Sequence, residues 1–362
     1  MPTLTPRSGI LNIKPHMIAT PEGHALTQSI NVSSNENALG PSEHASAAAH
    51  AALDTIERYP EDGAMRLVKA IGEAFDLDPQ KIVCGHGSDE LLQRLSRAYL
   101  NPGDELIHSV HGYLKFPNYA HAMGARPVAA PDNDFCASVD AILSCVTART
   151  RMVLLANPDN PTGTCLSGSE IRRLHAGLPE DTLLVLDSAY AEYVTAADYE
   201  IPTKLINESQ NVVMTRTFSK IFGLAGMRLG WAYGPGAVID VLKRLSMTFP
   251  VSAPAVAAGI AALADKQHVA RTFAANREVL QSLTEQLTAL GLYVYPSNTN
   301  FALIRFDNPL KTAQAAYDYL FARGIVARRF NSPAYENTVR VTIGLKAEID
   351  AVIAALTDFV RA

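Results

Sequence analysis

Short, continuous apolar runs separated by helical patterns restrict the fold of this chain more than any other feature of its sequence. Four such runs each precede a segment with helical periodicity, and a fifth leads into a loop. The runs lie at residues 81–84, 105–108, 152–155, 183–186 and 212–215. Strands that are apolar on both faces are typical of a mostly parallel sheet covered by helices on both sides. The pattern therefore predicts an α/β fold with one large sheet-and-helix domain.

The carboxyl-terminal part of the chain follows a different pattern. A long amphipathic helical stretch stops at Gly291, a residue type favoured just after helix ends. Shorter strand and helix patterns follow, which indicates a small α+β domain that packs with the N-terminal arm. The predicted boundaries are 1–40 for the N-terminal arm, 41–264 for the large domain and 265–362 for the small domain.

Composition excludes several classes of function. The chain has 362 residues, 48% of them apolar, and a formal net charge of −5, with no basic block that would indicate nucleic-acid binding. No apolar run reaches the roughly 18–20 residues needed to span a membrane, and the N-terminus lacks the apolar core of a signal peptide. Its four cysteines show no metal-ligand spacing. We expect a cytoplasmic globular protein without a metal, nucleic-acid partner or membrane partner.

Three residues after two predicted strands have the chemistry that one cofactor requires. Lys220 can form an imine with an aldehyde and later act as a base, which requires a lowered pKa. Asp187, at the end of the 183–186 run, can keep a pyridine nitrogen protonated, and Arg228 can bind a phosphate. Alone, Lys220 would be taken for a surface lysine and Asp187 for a helix cap. Together they indicate pyridoxal 5′-phosphate (PLP).

Further polar residues follow the same strands, and ligands of open α/β sheets collect at the carboxyl ends of strands. The glycine-rich turn at 85–90 opens a helix and can bind phosphate through its N–H groups, although alone it would be only a turn. The amide of Asn160, in the turn at 157–163, can donate to a ring oxygen. Tyr190 can donate to the same oxygen, or it can be a core aromatic. Thr217 and Ser219 offer hydroxyls.

These motifs resemble those of the histidinol-phosphate aminotransferase family, class-II aminotransferases among the fold-type I PLP-dependent enzymes. The resemblance covers nearly the whole chain. The segments that carry it are 34–37, 40–42, 58–60, 87–90, 160–163, 187–190 and 216–220.

The resemblance implies a complete cofactor site. The residues around the ring would be Lys220, Asp187, Asn160, Tyr190 and Tyr113, with Lys220, Asp187 and Tyr190 as the catalytic residues. The residues around the phosphate would be Gly87, Ser88, Asp89, Thr217, Ser219 and Arg228. Tyr59 would reach the phosphate in the partner subunit. The family therefore implies a homodimer with shared active sites, to which the N-terminal arm also contributes.

The resemblance also implies the substrate contacts. Arg340 would bind the α-carboxylate of glutamate, and Arg328 would help to bind the phosphate of histidinol phosphate. Asn37 and His16 would be further substrate-binding residues. The chain departs from the family at His16, where a tyrosine is usual, at Phe116, also usually tyrosine, and in the loop 331–337, which is usually glycine-rich.

The implied reaction is reversible amino transfer by a ping-pong route, from glutamate to imidazole-acetol phosphate in histidine biosynthesis. The departures remove hydroxyl groups near the expected phosphate and leave open an aromatic aminotransferase acting on phenylalanine or tyrosine. A PLP-dependent decarboxylase shares much of the pattern. The PLP-binding sensor domain of a transcription regulator is a non-enzymatic alternative. Such regulators carry a DNA-binding winged helix ahead of this domain, and because the acidic sequence shows only a short N-terminal arm there, we expect an enzyme instead.

Overall fold

A seven-stranded sheet lies at the centre of the computed structural model, which describes residues 4–13 and 29–362. The strands are β1 (Ile30–Asn31), β2 (Ile82–Gly85), β3 (Glu105–Ser109), β4 (Arg126–Ala130), β5 (Asp132–Asn133), β6 (Cys136–Ala137), β7 (Thr150–Ala156), β8 (Leu183–Asp187), β9 (Val212–Thr217), β10 (Gly230–Tyr233), β11 (Tyr293–Val294), β12 (Phe301–Arg305), β13 (Ile325–Val326) and β14 (Thr338–Thr342). The helices are α1 (Glu43–Ala52), α2 (Met65–Phe75), α3 (Ser88–Tyr99), α4 (Phe116–Met123), α5 (Val139–Ser144), α6 (Gly168–Gly177), α7 (Thr203–Glu208), α8 (Gly236–Arg244), α9 (Ala253–Ala264), α10 (Lys266–Ala289), α11 (Ala313–Phe321) and α12 (Lys346–Arg361).

The strand order in the large sheet is β2-β10-β9-β8-β7-β3-β4. The pairs from β9 to β4 are all parallel, whereas β10 runs antiparallel to both of its neighbours. The carboxyl ends of β7, β8 and β9 therefore meet at one edge of the sheet. The prediction of a mostly parallel α/β sheet is confirmed.

Both faces of this sheet are covered. Along β8, Leu184 and Leu186 belong to one apolar core, and Leu183 and Val185 belong to the core on the opposite face. Because successive side chains of a strand point to opposite faces, a strand buried on both sides must be apolar throughout. This explains the unbroken apolar runs of the sequence.

Serine and threonine side chains set the start of several helices. Ser42 accepts a hydrogen bond from the backbone N–H of Ala45, and Ser252 does the same for Ala255. Such caps satisfy N–H groups that a helix leaves unpaired at its first turn. Other helices with this type of cap are α5, α6 and α11.

The carboxyl-terminal elements form a second core. The antiparallel sheet β11-β12-β14 packs with α10, α11 and α12, and β1 from the N-terminal part pairs in parallel with β13. Arg328 and Arg340 exchange backbone hydrogen bonds of 2.9 and 2.8 Å, which join the segment after β13 to β14. The domain boundaries at 40/41 and 264/265 stay predictions. Among the described residues, no helix is both long enough and apolar enough to cross a bilayer.

Candidate active site

A cavity of about 270 Å³ lies at the carboxyl ends of β7, β8 and β9. Segment 34–36 from the N-terminal part and the loop after β9 complete its wall. The cavity contains the larger part of the sequence-predicted site: Ser88, Asp89, Tyr113, Asn160, Asp187, Tyr190, Thr217, Ser219, Lys220 and Arg228. The structure thus brings together residues that are up to 140 positions apart in the chain, as Ser88 and Arg228 are.

Lys220 has the environment expected of a reactive amine. Its Nζ donates to the carbonyl oxygens of Asn35 at 3.1 Å and Ser34 at 3.4 Å. Burial, assisted by the positive charge of Arg340, lowers the pKa of the Lys220 amine to about 8. A lowered pKa increases the neutral fraction of the amine near neutral pH, which nucleophilic attack and proton abstraction both require.

Asp187 is the last residue of β8 and is almost completely buried. Its Oδ1 accepts a hydrogen bond of 2.9 Å from Thr215 Oγ1 on the adjacent strand. Burial raises the pKa of the Asp187 carboxyl to about 7, although the Thr215 hydrogen bond and the charge of Lys220 act in the opposite direction. A cationic ring nitrogen beside Asp187 would supply the positive charge that this buried carboxylate needs.

Tyr190 lies three residues further on, against the same cavity. Its hydroxyl accepts a hydrogen bond of 2.9 Å from Asn35 Nδ2, and Lys220 Nζ is 5.7 Å from the centre of its ring. Burial raises the pKa of the Tyr190 phenol to about 12, so the group stays protonated at neutral pH. Tyr190 is thus available as a hydrogen-bond donor.

A narrow cradle lies between the start of α3 and the loop that ends at Arg228. Gly87 precedes α3 with φ of +87°, and a Cβ at this position would lie 3.0 Å from Arg228 Nη2. Thr217 Oγ1, at the end of β9, donates to Ser219 Oγ at 3.0 Å. Helix N–H groups, two hydroxyls and a guanidinium are groups that bind a phosphate.

Asp89, also in this first turn, already has partners for its carboxylate. Oδ1 accepts from Tyr119 Oη, and Oδ2 accepts from Lys115 Nζ at 3.2 Å. Because a bare carboxylate would repel a phosphate, the backbone of Asp89 is the part that suits an anion. Together with Lys220 and Asp187, the cradle fits a phosphorylated pyridine aldehyde.

Asn160 and Arg340 are joined directly. Arg340 Nη1 donates to Asn160 Oδ1 at 2.5 Å, and Nη2 donates to the carbonyl oxygen of Ser33 at 2.6 Å. The Asn160 amide oxygen is thereby occupied, which leaves the amide nitrogen as the donor required by the predicted ring contact. Arg340 is buried, no group in the described part of the chain accepts from its Nε, and burial lowers the pKa of its guanidinium to about 10.

Tyr113 lines the cavity, and its ring meets Phe116 edge-on with centroids 5.3 Å apart. Burial, together with the negative charge of Asp89, raises the pKa of the Tyr113 phenol. Phe116 is almost fully buried at the start of α4 and also contacts Tyr119. The departure from tyrosine at this position therefore falls in the core behind Tyr113.

Several predicted residues lie outside the cavity. Arg328 does not line it, and its Cζ lies 5.7 Å from the centre of the Phe330 ring. Asn37 donates to the carbonyl oxygen of Ile221 at 2.8 Å and faces a second cavity of about 290 Å³. Tyr59 is 83% exposed. His16 lies outside the described residues.

The sequence motifs predict no role for Asn35, although it lies in the 34–37 segment that carries the resemblance. The structure places Asn35 against both Lys220 and Tyr190, almost fully buried and with φ of +55°. Asparagine tolerates this left-handed conformation better than most residues. An asparagine in a short segment with a second amide residue, Asn37, is therefore the sequence feature that could have identified Asn35.

The fold and this lysine-centred site define a PLP-dependent enzyme of fold type I. The chain belongs to the aminotransferase class I and II family, whose model matches residues 27–356. It is therefore a PLP-dependent aminotransferase, as predicted.

Relatives in this family span the whole chain. A histidinol-phosphate aminotransferase from Rhodospirillum centenum is 48% identical over 98% of both chains, and one from Maricaulis maris is 47% identical over 99% of both. The crystal structure of a histidinol-phosphate aminotransferase from Sinorhizobium meliloti in complex with pyridoxal-5′-phosphate superposes with a TM-score of 0.90. That structure is 29% identical, with 97% of this chain and 96% of the other covered. The resemblance predicted from the motifs is confirmed.

Proposed function

We propose that this chain exchanges amino groups between glutamate and imidazole-acetol phosphate, which forms histidinol phosphate and 2-oxoglutarate in histidine biosynthesis. The observation that carries the proposal is the full-length similarity, at 45–48% identity, to four proteins named histidinol-phosphate aminotransferase. It favours this reaction over aromatic amino acid transfer. The proposed location is the cytoplasm.

Individual residues of the chain would have separate roles in proton transfer and in binding the cofactor ring. PLP, when bound, supplies an electron sink for the bond that is broken at the substrate α-carbon. Lys220 would take the α-proton and return it on the next step, because its lowered pKa keeps part of the amine neutral. Asp187 would hold the positive charge of the ring nitrogen. Asn160 and Tyr190 would donate to the ring oxygen, and Tyr113 would pack against the ring.

The anionic ends of cofactor and substrate would be held separately. The cofactor phosphate would lie between Gly87, Ser88, the Asp89 backbone, Thr217, Ser219 and Arg228. Arg340 would bind the carboxylate of glutamate, because its unpartnered Nε and depressed pKa mark a buried cation without a full set of acceptors. Arg328, Asn37 and His16 are the further substrate-binding residues of the proposal.

The proposed assembly is a homodimer whose subunits share active sites, with Tyr59 contributing to the partner's phosphate site. Leu53, Ile56 and Tyr59 are 48%, 65% and 83% exposed and follow one another after α1. Met247 is 61% exposed on the segment that brings Phe249 against the Tyr59 ring. Large apolar side chains exposed together favour a protein partner, here a second copy.

Mixing two variants that are each expected to lose most activity tests this assembly. Tyr59→Ala and Lys220→Ala chains, unfolded and refolded together, would form hybrid dimers in which one site has both residues. Activity in the mixture well above the sum of the separate variants is expected. No recovery, with hybrid dimers shown by mass spectrometry, would rule out shared sites.

A comparison of amino acceptors tests the reaction. The glutamate-loaded enzyme is given imidazole-acetol phosphate or phenylpyruvate, and kcat/KM for the phosphorylated acceptor is expected to be higher by about 10²-fold or more. Arg328→Gln should remove most of this preference and leave the phenylpyruvate rate nearly unchanged. Equal rates with both acceptors would transfer the assignment to the aromatic aminotransferases. Release of carbon dioxide without a keto acid would indicate a decarboxylase.

A further inference from the structure

Asn35 contacts the two residues around which the chemistry is proposed to take place. Its side-chain Nδ2 donates to Tyr190 Oη at 2.9 Å, and its backbone carbonyl accepts from Lys220 Nζ at 3.1 Å. Asn35 is almost fully buried, so no bulk water competes for these bonds.

The orientation of the Asn35 amide is fixed from the carboxyl-terminal core. Thr342 Oγ1 donates to Asn35 Oδ1 at 3.1 Å and accepts from the Asn35 backbone N–H at 2.9 Å. Asn300 Nδ2 donates to the Asn35 carbonyl at 3.1 Å. Because a donor faces the amide oxygen, the amide nitrogen must face Tyr190, and a flipped amide would lose both contacts.

This orientation determines what the Tyr190 hydroxyl does. A hydroxyl has one hydrogen to donate and can accept at its lone pairs. Since Tyr190 Oη accepts from Asn35, its own hydrogen is directed to another acceptor, and an accepted bond strengthens the bond that is donated. Tyr190 lines the cavity in which the cofactor ring is proposed to bind.

We propose that Asn35 is a positioning residue that acts through Tyr190, directing the hydroxyl hydrogen of Tyr190 to the ring oxygen of the cofactor. The inference rests on the proposed role of Tyr190. A donor at the ring oxygen favours its ionised form, so loss of the donor should raise the pH at which the visible absorbance of the bound cofactor changes. The charged groups that act on Tyr190, namely Arg340, Asp187 and Asp159, are unchanged in Asn35→Gly.

Two substitutions separate the amide from the backbone. Asn35→Gly removes the amide and accepts φ of +55° without strain, whereas Asn35→Asp keeps the shape but offers Tyr190 an acceptor. In Asn35→Gly we expect the absorbance midpoint to rise by about one pH unit and kcat to fall about 10-fold, and in Asn35→Asp the added negative charge should raise the midpoint further. Asn211→Ala, which also loses two amide hydrogen bonds but lies at the opposite end of the sheet, is the matched control and should leave the midpoint unchanged.

The decisive measurement repeats Asn35→Gly in a Tyr190→Phe background. Tyr190→Phe alone should raise the midpoint, and Asn35→Gly should then add nothing further, because the group through which it acts is absent. Equal shifts in both backgrounds would overturn the inference. If Tyr190→Phe alone leaves the midpoint unmoved, the proposed role of Tyr190 fails and this inference fails with it. Should Asn35→Gly not fold, Thr342→Val, which removes the donor that fixes the amide orientation, replaces it with a smaller shift in the same direction.

Discussion

Lys220 and Arg216 are buried or half-buried cations only four residues apart, yet their surroundings differ. Arg216, on β9, forms an ion pair with Glu192, and its Cζ lies 4.9 and 5.4 Å from the centres of the Phe75 and Trp231 rings. Among the described residues, the Nζ of Lys220 donates to two carbonyl oxygens and to no carboxylate. The carboxylates of Glu36 and Asp187 act on it through their charge without a direct hydrogen bond, and Asp187 accepts a hydrogen bond from a threonine.

This difference in surroundings distinguishes a charge that is neutralised within the fold, Arg216, from charges that have no counter-charge bonded to them and can bind a ligand. A buried charge without a counter-charge is costly, and shifted pKa values at such a place are typical of functional sites. The pKa values of Lys220, Asp187 and Arg340 are all displaced toward the neutral form by burial. We propose that the cofactor supplies the opposite charge for Asp187 and the substrate the one for Arg340, and that Lys220 reacts with the cofactor aldehyde.

The largest expected effect on activity is at Lys220. Lys220→Ala should lower kcat by at least about 10³-fold, because both the attachment point and the base are lost. The visible absorbance of the bound cofactor should disappear in the same variant. Lys220→Arg keeps a cation in place and serves as the control: near-normal activity in it would contradict a role that requires a neutral amine.

Asp187→Asn tests whether the buried carboxylate of Asp187, which has no positively charged hydrogen-bond partner among the described residues, is required for activity. Loss of the carboxylate should lower kcat by about 10²-fold, with Asp187→Glu as the matched control that keeps the charge.

In the protein without cofactor, the pKa of Asp187 is raised, so the folded state binds its proton more tightly than the unfolded state. The stability of the wild type should therefore fall as pH rises from about 4 to about 7 and stay low above that.

The side chain at position 187 cannot ionise in Asp187→Asn, so the stability of this variant should not fall between pH 4 and pH 7. Above pH 7 it should be more stable than the wild type by up to about 4 kcal/mol, and at pH 4 the two should be alike. Denaturant unfolding of both proteins across this pH range measures the difference. A constant difference at every pH would contradict an ionising Asp187 as its cause.

The sequence predicted the sheet and most of the cavity because both depend on local patterns. Apolar runs identify parallel strands, and polar residues that follow such strands must converge at their carboxyl ends, as Asp187 and Lys220 do. Asn35 was not predicted because its partners Tyr190 and Thr342 are 155 and 307 residues away. No local pattern specifies such contacts, which arise only when the two cores pack together.

Arg216 is the opposite case, a residue inside a sequence motif that lies outside the cavity. It lies within the 216–220 motif, and sequence alone does not distinguish it from the residues that line the cavity. The structure shows it paired with Glu192 and absent from the cavity wall. Tyr59 is a third case, since its predicted partner belongs to a second subunit and the single chain shows only an exposed ring.

Arg340 is expected to produce an intermediate effect. Arg340→Gln should raise KM for glutamate about 10- to 100-fold, because a buried cation that binds a carboxylate is lost. Arg340→Lys keeps the charge without the two-pronged geometry and should recover only part of this loss. Steady-state kinetics with glutamate varied measure both, and an unchanged KM would assign Arg340 to the support of Asn160 alone.

The smallest effect on activity is expected at the paired charges. Glu192→Gln leaves Arg216 buried without a counter-charge, which should lower the free energy of unfolding by about 3–5 kcal/mol. Because neither residue lines the cavity, kcat/KM at a temperature where the variant is folded should stay within about threefold of the wild type. The double variant Arg216→Met with Glu192→Leu should recover part of the stability, since it removes both charges together. A large loss of kcat/KM in folded Glu192→Gln would contradict the division between paired and unpaired charges, and would place this ion pair in the catalytic site.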